Sequence, residues 1–600
     1  MSKIMTRSEV PVSSTWNISD LYATESDWEK DLRALQQLAE DIQSYKGRLG
    51  ESARTLYECL EQEESLMQKA MKTANYAGLQ QSEDGTNPAN IARAARSGDV
   101  LSAVYARLTW INSEILDLPE GLINQYVAEY PALGVYERSL NLLLDTRPHR
   151  LSPDVEATLA SLGEVTGAPY RIYLRSKLAD MTFDDAADQQ GQVQPVSFRL
   201  YENAYEVSPD TELRRSSFAS FTKTLRQYRN TIAETYATEV KKQIVMSRLR
   251  GYESVTDMLL QPQQVTRDMY NNIHNVLLQE LAPHMQRLAR LKQRVLGLDR
   301  MTFCDLKAPL DPDYNPSVSF AEAADTVKEA LQIMGPEYMD IMEEAFSSRW
   351  IDYADNAGKS TGAFCASIYG EHSYILMAWA DNMRNAFTLA HELGHAGHLT
   401  LAARNQRLSN YRPSLYCIEA PSTMNELLLA DHLMKSSQDK QLRRWVILQL
   451  LSTYYHNFVT HLLEAELQRR VYDAAMHGQA ITADWLSATK GEVLSGFWGD
   501  TAEIDEGARL TWMRQPHYYM GLYPYTYAAG LTASTAAMQR IREEGQPAVD
   551  RWLTALKAGG SLPPLELMQL AGVDMSGPEP ISTAADYVGS LISELESLYE

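Results

Sequence analysis

Asn382-Met383-Arg384-Asn385-Ala386-Phe387-Thr388-Leu389-Ala390-His391-Glu392-Leu393-Gly394-His395 is the stretch on which the reading of this chain turns. Asn382 is placed to cap a helix, because its side chain can accept a first-turn backbone N–H. On that helix His391 and His395 are four residues apart, so they lie on one face, one turn from each other. Their ring nitrogens can converge on one ion. Glu392 adjoins the first histidine, where its carboxylate can reach a metal-bound water. Imidazole and carboxylate ligands suit zinc, and a catalytic site keeps one coordination position open for that water. Taken alone, the five-residue pattern also fits a solvated helix with two surface histidines.

Working outward, the next acidic motif lies downstream, in Tyr416-Cys417-Ile418-Glu419-Ala420-Pro421-Ser422-Thr423-Met424-Asn425-Glu426. Glu419 starts a second helical stretch, and a carboxylate on a neighbouring helix completes a two-His, one-Glu site. Glu426 follows seven residues later on the same face, placed to bond the far nitrogen of a histidine ligand. Its alternative is a surface glutamate. Upstream, Phe364 to Trp379 reads as two strands joined by a tight turn: Ile368, Tyr369, Tyr374, Ile375, Leu376 and Met377 favour strand, and Gly370-Glu371-His372-Ser373 interrupts them.

Most of the remaining text is helical. Trp28, Leu32, Leu35 and Leu38 recur at helical spacing between residues 26 and 43, and residues 51–80, 88–117 and 212–250 are rich in Ala, Leu, Glu, Arg and Gln. Residues 178–200, with Gly191 and Pro195, suggest a short hairpin or loop, and residues 308–316 a loop. We expect a mainly α protein in two parts: an N-terminal helical domain over 1–195 and a catalytic domain over 196–600. Its 44% apolar content supports a large core, and a net charge of -23 disfavours nucleic acid and anionic lipid as partners. The polar opening Met1 to Trp16 does not read as a signal peptide, and no apolar run is long enough to span a membrane. Cys59, Cys304, Cys365 and Cys417 are far apart, which suggests reduced thiols in a cytoplasmic protein.

The paired runs around His391 and Ile418-Glu419-Ala420-Pro421-Ser422 resemble the signatures of the thimet oligopeptidase family, closest to its bacterial branch, oligoendopeptidase F. Trp16-Asn17-Ile18-Ser19-Asp20-Leu21-Tyr22 is similar to that branch's opening. Gly362-Ala363-Phe364-Cys365 with Tyr374-Ile375-Leu376-Met377 is similar to the strand before its metal helix, and Leu570-Ala571-Gly572-Val573-Asp574-Met575 to its closing segment. The resemblance spans nearly the whole chain. It implies one zinc ion per chain on His391, His395 and Glu419. It also implies a helical shell around a deep channel, and endopeptidase action on short unfolded oligopeptides. No obligate protein partner is evident.

Pro516 to Gly530 is dense in tyrosine and starts with His517. One reading is an aromatic core segment. The other, which the resemblance favours, is that His517 with Tyr523 and Tyr527 donates hydrogen bonds to a developing oxyanion, Tyr525 also being eligible. His398 reads as packing. His432, His456 and His461 read as core residues of helices, the His461/Glu464 pair lacking any partner motif. In the expected chemistry Glu392 acts as general base. The peptide backbone adds as a strand along Tyr374, Ile375, Leu376 and Met377, with Tyr525 as a further substrate contact. Two other readings are a carboxypeptidase, for which Arg514 is the nearby basic residue, and a peptide-binding protein with a relic motif.

Overall fold

The computed structural model describes residues 4–600, so the first three residues of the Met1–Trp16 opening lie outside the described residues. The helix-favouring stretches fold as such: α1 Glu25–Ile42, α2 Ala53–Glu83, α3 Pro88–Asp117 and α4 Thr211–Leu249. Each begins where local chemistry satisfies the free N–H groups of a helix start, with Thr24, Ser52, Asn87 and Asp210 accepting a backbone N–H from the first turn. Between α3 and α4 a two-residue antiparallel pair, β1 Ala186–Ala187 with β2 Val193–Gln194, forms the expected hairpin. Further along come α5 Ala282–Val295, the loop at 308–316, and then α6 Met383–Asn405. Asn382 caps α6 by accepting from the Asn385 N–H. The remaining helices that shape the site are α7 Ala420–Ser436, α8 Lys440–Tyr454, α9 His461–Met476 and α10 Pro524–Glu544. Among the described residues no helix is long and apolar enough to cross a membrane.

A three-stranded sheet interrupts this helical shell. Its strands are β3 Ile351–Asp352, β4 Phe364–Ser367 and β5 Ser373–Leu376, in the order β3-β5-β4. β5 pairs in parallel with β3 (Ile351 opposite Ile375) and antiparallel with β4 (Cys365 opposite Ile375). Successive side chains of a strand point to opposite faces, and β5 uses this to join two cores. Tyr374 and Leu376 pack with Trp16, Trp28 and the apolar residues of α1 to α3, while Ile375 and Met377 pack with the larger core of the rest of the chain. Trp16 meets Tyr374 edge-on at 6.0 Å between ring centres and Phe364 at 6.5 Å. The N-terminal helices therefore back one face of the sheet, and α6 packs on β4 and β5. The division of the chain near residue 195 is our proposal; Tyr173, Met181 and Ala186, upstream of that point, already pack in the larger core.

This topology corrects the expected peptide-pairing strand. Tyr374, Ile375 and Leu376 are fully buried, Met377 is 1% exposed, and both edges of β5 are occupied by neighbouring strands. A peptide cannot add there. Both outer strands pair on one side only; β3 is buried, whereas Phe364 to Ala366 of β4 are part-exposed.

Candidate metal centre and catalytic cleft

α6 and α7 are the closest-packed helix pair of the site because Gly394 carries no side chain. A Cβ at Gly394 would lie 2.5 Å from the Pro421 carbonyl oxygen and 2.6 Å from the Ser422 Cα, both backbone atoms that cannot give way. The glycine inside the His391–His395 turn thus lets the start of α7 reach the histidines. Asn425 fixes the crossing, donating to the Ala390 carbonyl at 3.1 Å and accepting from the Tyr338 hydroxyl at 3.1 Å. Glu419 occupies the N-cap position of α7, and its carboxylate lies 3.5 Å from His391 Nε2 and 3.4 Å from His395 Nε2.

His391, His395 and Glu419 offer ligand atoms that all lie within 4.8 Å of one another. His391 donates from Nδ1 to Glu426 Oε1 at 2.7 Å, and the Thr453 hydroxyl donates to the other oxygen of Glu426 at 3.1 Å. That bond fixes the ring's tautomer and leaves Nε2 for an ion. Glu392 is 6% exposed. Glu392, Glu419 and Glu426 set three carboxylates around two imidazoles, and among the described residues no Lys or Arg pairs with any of the three. This donor set fits a divalent cation, which would balance the buried charge. Burial raises the Glu392 carboxyl above its ordinary value, more than His391 and His395 lower it, with Glu419 and Glu426 adding to the rise. A carboxylate so raised is a stronger base.

The tyrosine segment sorts itself by exposure. His517, Tyr523 and Tyr527 are part-exposed, whereas Tyr518 and Tyr525 are buried. The His517 and Tyr523 rings stack at 5.0 Å, and Tyr527 lies 5.5 Å from Tyr523 and 5.8 Å from His517, centre to centre. α10 reaches this place because Gly530 lets it lie against Glu419, where an added Cβ would stand 3.0 Å from the Glu419 Cβ. Burial pushes the Tyr527 phenol up, and Tyr523 and Glu419 push it further, which keeps it protonated as a donor. Tyr525 is corrected as a substrate contact: it has no exposed surface and its hydroxyl donates to Gln263 at 2.6 Å. Arg514 is likewise committed elsewhere, to Glu206 at 2.8 Å and Glu202 at 3.1 Å, so it is not free to hold a peptide terminus.

Two histidines read as core residues also belong to this wall. His461 stacks on Tyr527 at 4.0 Å and its Nε2 meets His456 Nε2 at 3.2 Å. In a regular helix residues five apart are about 140° apart around the axis. Here residues 455–460 form a π-helical turn between α8 and α9, whose i to i+5 spacing brings His456 and His461 to one side. No local pattern announces that turn. Gln515 completes the set: its amide nitrogen is 3.3 Å from His461 Nδ1, and its amide oxygen accepts from His517 Nδ1 at 2.8 Å. The protons then run one way along His517, Gln515, His461 and His456. Neutral His517 is left with a bare Nε2 that accepts rather than donates, and burial holds the ring down to about 4. With the Gln515 amide in this orientation, the Tyr523 and Tyr527 hydroxyls are the donors this wall offers. His398 is buried and packs, as expected, its ring held down to about 3 by burial and then by His395.

The sequence profile of Peptidase family M3 matches residues 204–587, and that of Oligopeptidase F matches residues 114–183. Oligopeptidase PepF of Bacillus subtilis (strain 168) is 32% identical over 592 residues, covering 99% of this chain and 88% of that protein. Group B oligopeptidase PepB of Streptococcus agalactiae is 28% identical, covering 99% and 98%. Among solved structures, oligoendopeptidase-F from Enterococcus faecium superposes with a TM-score of 0.74 at 25% identity, over 96% of this chain and 99% of that one. A chain from Chlamydophila abortus superposes with a TM-score of 0.92 at 27% identity, over 99% and 100%.

Proposed function

Because the chain belongs to peptidase family M3, in its oligoendopeptidase F branch, we propose that it is a zinc-dependent endopeptidase that cuts internal bonds of short unfolded oligopeptides in the cytoplasm. The observation that carries this reading is the convergence of His391, His395 and Glu419 beside the buried carboxylate of Glu392 and the open edge of β4. Family membership makes the protein a peptidase; the metal, the catalytic roles and the compartment are our inference. Four free cysteines, none in a disulfide, agree with a reducing compartment.

His391, His395 and Glu419 would hold the ion, with Glu426 orienting His391. When bound, a divalent zinc polarises the scissile carbonyl and makes water acidic enough to react near neutral pH. The chain's own groups do the rest. The peptide backbone pairs with the free edge of β4, antiparallel or parallel, without reading side chains, which gives binding with loose sequence preference. Glu392 takes the proton of the attacking water on its carboxylate and passes it to the leaving amine. Tyr527 and Tyr523 donate to the oxygen that gains charge, and His517, accepting at Nε2, holds a neighbouring hydroxyl in place.

The test is a peptide of about eight residues blocked at both ends. The unsubstituted chain cuts it internally, fragment masses giving the bond, while Glu392→Gln leaves it intact and still binds it. Trimming confined to free-ended peptides would replace this reading with an exopeptidase. Survival of every peptide with metal bound would replace it with a peptide-binding protein.

A further inference from the structure

His461 and Glu464, one turn apart on α9, have no partner motif in the sequence; their partners lie in the segment that carries His517. His461, Glu464 and Gln468 stand at i, i+3 and i+7, so they share one face of α9. They meet Gln515, Tyr518 and Gly521, every third residue of the facing segment. The Gln515 amide nitrogen lies 3.3 Å from His461 Nδ1, the Tyr518 hydroxyl donates to Glu464 Oε2, and the Gln468 amide donates to the Gly521 carbonyl at 2.9 Å. Two residues past this clamp, Tyr523 is the N-cap of α10.

Glu464 is the charged member of the clamp. Its Oε1 accepts from Lys490 at 2.5 Å, on the helix Ala483–Trp498. Glu464 is 8% exposed and Lys490 1%, and among the described residues this is the one ion pair of Lys490. Burying such a pair adds little stability over well-packed apolar residues of similar volume, so stability alone does not account for it. What the pair supplies is an ionised acceptor, whose hydrogen bonds are stronger than those of a neutral one. Tyr518 suits that acceptor: burial, followed by Glu464, raises its phenol well above the ordinary range, so it remains a donor. Its ring also stacks on Tyr236 of α4 at 4.8 Å. His517 and Tyr518 are successive residues of the short 3₁₀ helix Pro516–Tyr519, and such residues stand about 120° apart around the axis. Anchoring Tyr518 on the buried side therefore sets the direction of His517, and with it the Tyr523 ring stacked on His517 at 5.0 Å.

We propose that Glu464 is a positioning residue of the cleft: paired with Lys490, it holds Tyr518 and so aims His517 and Tyr523 at the place where the scissile carbonyl gains charge. The inference rests on the peptidase reading above and deepens it. Glu464 itself touches no substrate, because Lys490 and Tyr518 occupy both of its oxygens. It acts on turnover rather than on binding, since in that reading the peptide pairs with β4 and the ion sits between α6 and α7.

The experiment compares kcat and KM for the doubly blocked octapeptide in three chains. They are the unsubstituted chain, Tyr518→Phe, and Glu464→Gln combined with Lys490→Met, which removes the clamp without leaving a buried charge unpaired. Both variants are expected to lose about tenfold in kcat with KM unchanged, less than the loss of a pre-aimed donor itself. Tyr518→Phe added to Tyr523→Phe costs less than about a further twofold, because both act through one group. Full kcat in Tyr518→Phe with a lowered melting temperature overturns the proposal, and so do losses that multiply when Tyr518→Phe and Tyr523→Phe are combined. Tyr518→Phe keeps the Glu464–Lys490 pair, so it decides the matter even where the double variant fails to fold. His517 gives a readout independent of cleavage. Burial, followed by His456, holds its ring down to about 4 in the unsubstituted chain. In Tyr518→Phe the ring is expected to titrate nearer its ordinary value of about 6.5, read by NMR of histidine-labelled protein; an unmoved midpoint overturns the positioning role. An unsubstituted chain that cuts nothing loses the peptidase reading, while the His517 titration still decides the clamp.

Discussion

On one wall of the cleft, His391, His395, Glu419 and Glu426 come from two consecutive helices, α6 and α7; spacing sets which residues share a face of each helix, and the close approach at Gly394 brings the two faces together. On the other, His456, His461, Gln515, His517, Tyr523 and Tyr527 come from a π-helical turn, the start of α9, a short helical turn and α10. The first wall is a product of helical periodicity and one missing Cβ, at Gly394. The second exists only because separate stretches pack together. A wall set by periodicity tolerates little substitution but is rigid, whereas a wall set by packing depends on the chain of hydrogen bonds running through it.

The largest effect that would sharpen this contrast is Tyr527→Phe. Removing a pre-aimed donor lowers kcat about 100-fold while KM changes little. Full activity in the variant would show the second wall to be packing alone. Glu426→Gln, on the first wall, weakens metal affinity about tenfold, because it exchanges the acceptor that orients His391 for a poorer one; metal titration against a competing chelator reads it. Acid separates the walls in a different way. Burial, then the charges of neighbouring rings and Lys307, holds His461 down to about 2, and His517 stays neutral to about 4. Unfolded, both take up a proton near 6.5, so below that pH the unfolded chain binds more protons and stability falls, down to about pH 4 where His517 also charges. Melting temperature is therefore expected to decline steadily from pH 7 to 5, and His461→Phe is expected to flatten the decline. The smallest effect is Tyr525→Phe: the hydroxyl serves Gln263 in the core, so stability drops by about 1 kcal/mol with turnover unchanged.

The contrast also explains what the sequence disclosed. The helical class, the short hairpin, the Asn382 cap and the shared face of His391 and His395 follow from local spacing, whereas Glu419 is expected from the resemblance of the paired runs; the three form a candidate metal cluster. Tyr374 to Met377 were misread as the peptide-pairing strand because an apolar run identifies a strand without saying whether its edges are free. Tyr525 failed as a substrate contact for the same kind of reason: residues 523, 525 and 527 look alike in a list of tyrosines, and only the direction of α10 decides which of them meet the cleft. His456 and His461 were hidden by a spacing of five, which α periodicity assigns to different sides and a π turn reunites.

The most direct test of the central claim is metal dependence of internal cleavage, read together with metal content. The purified chain is stripped with chelator, and zinc is added back stepwise against turnover of the doubly blocked octapeptide. The account predicts that stripping abolishes cleavage and that activity returns to a plateau at one zinc per chain, with Glu419→Gln requiring far more zinc to reach any activity. Undiminished cleavage by a chain shown to be free of metal would contradict it.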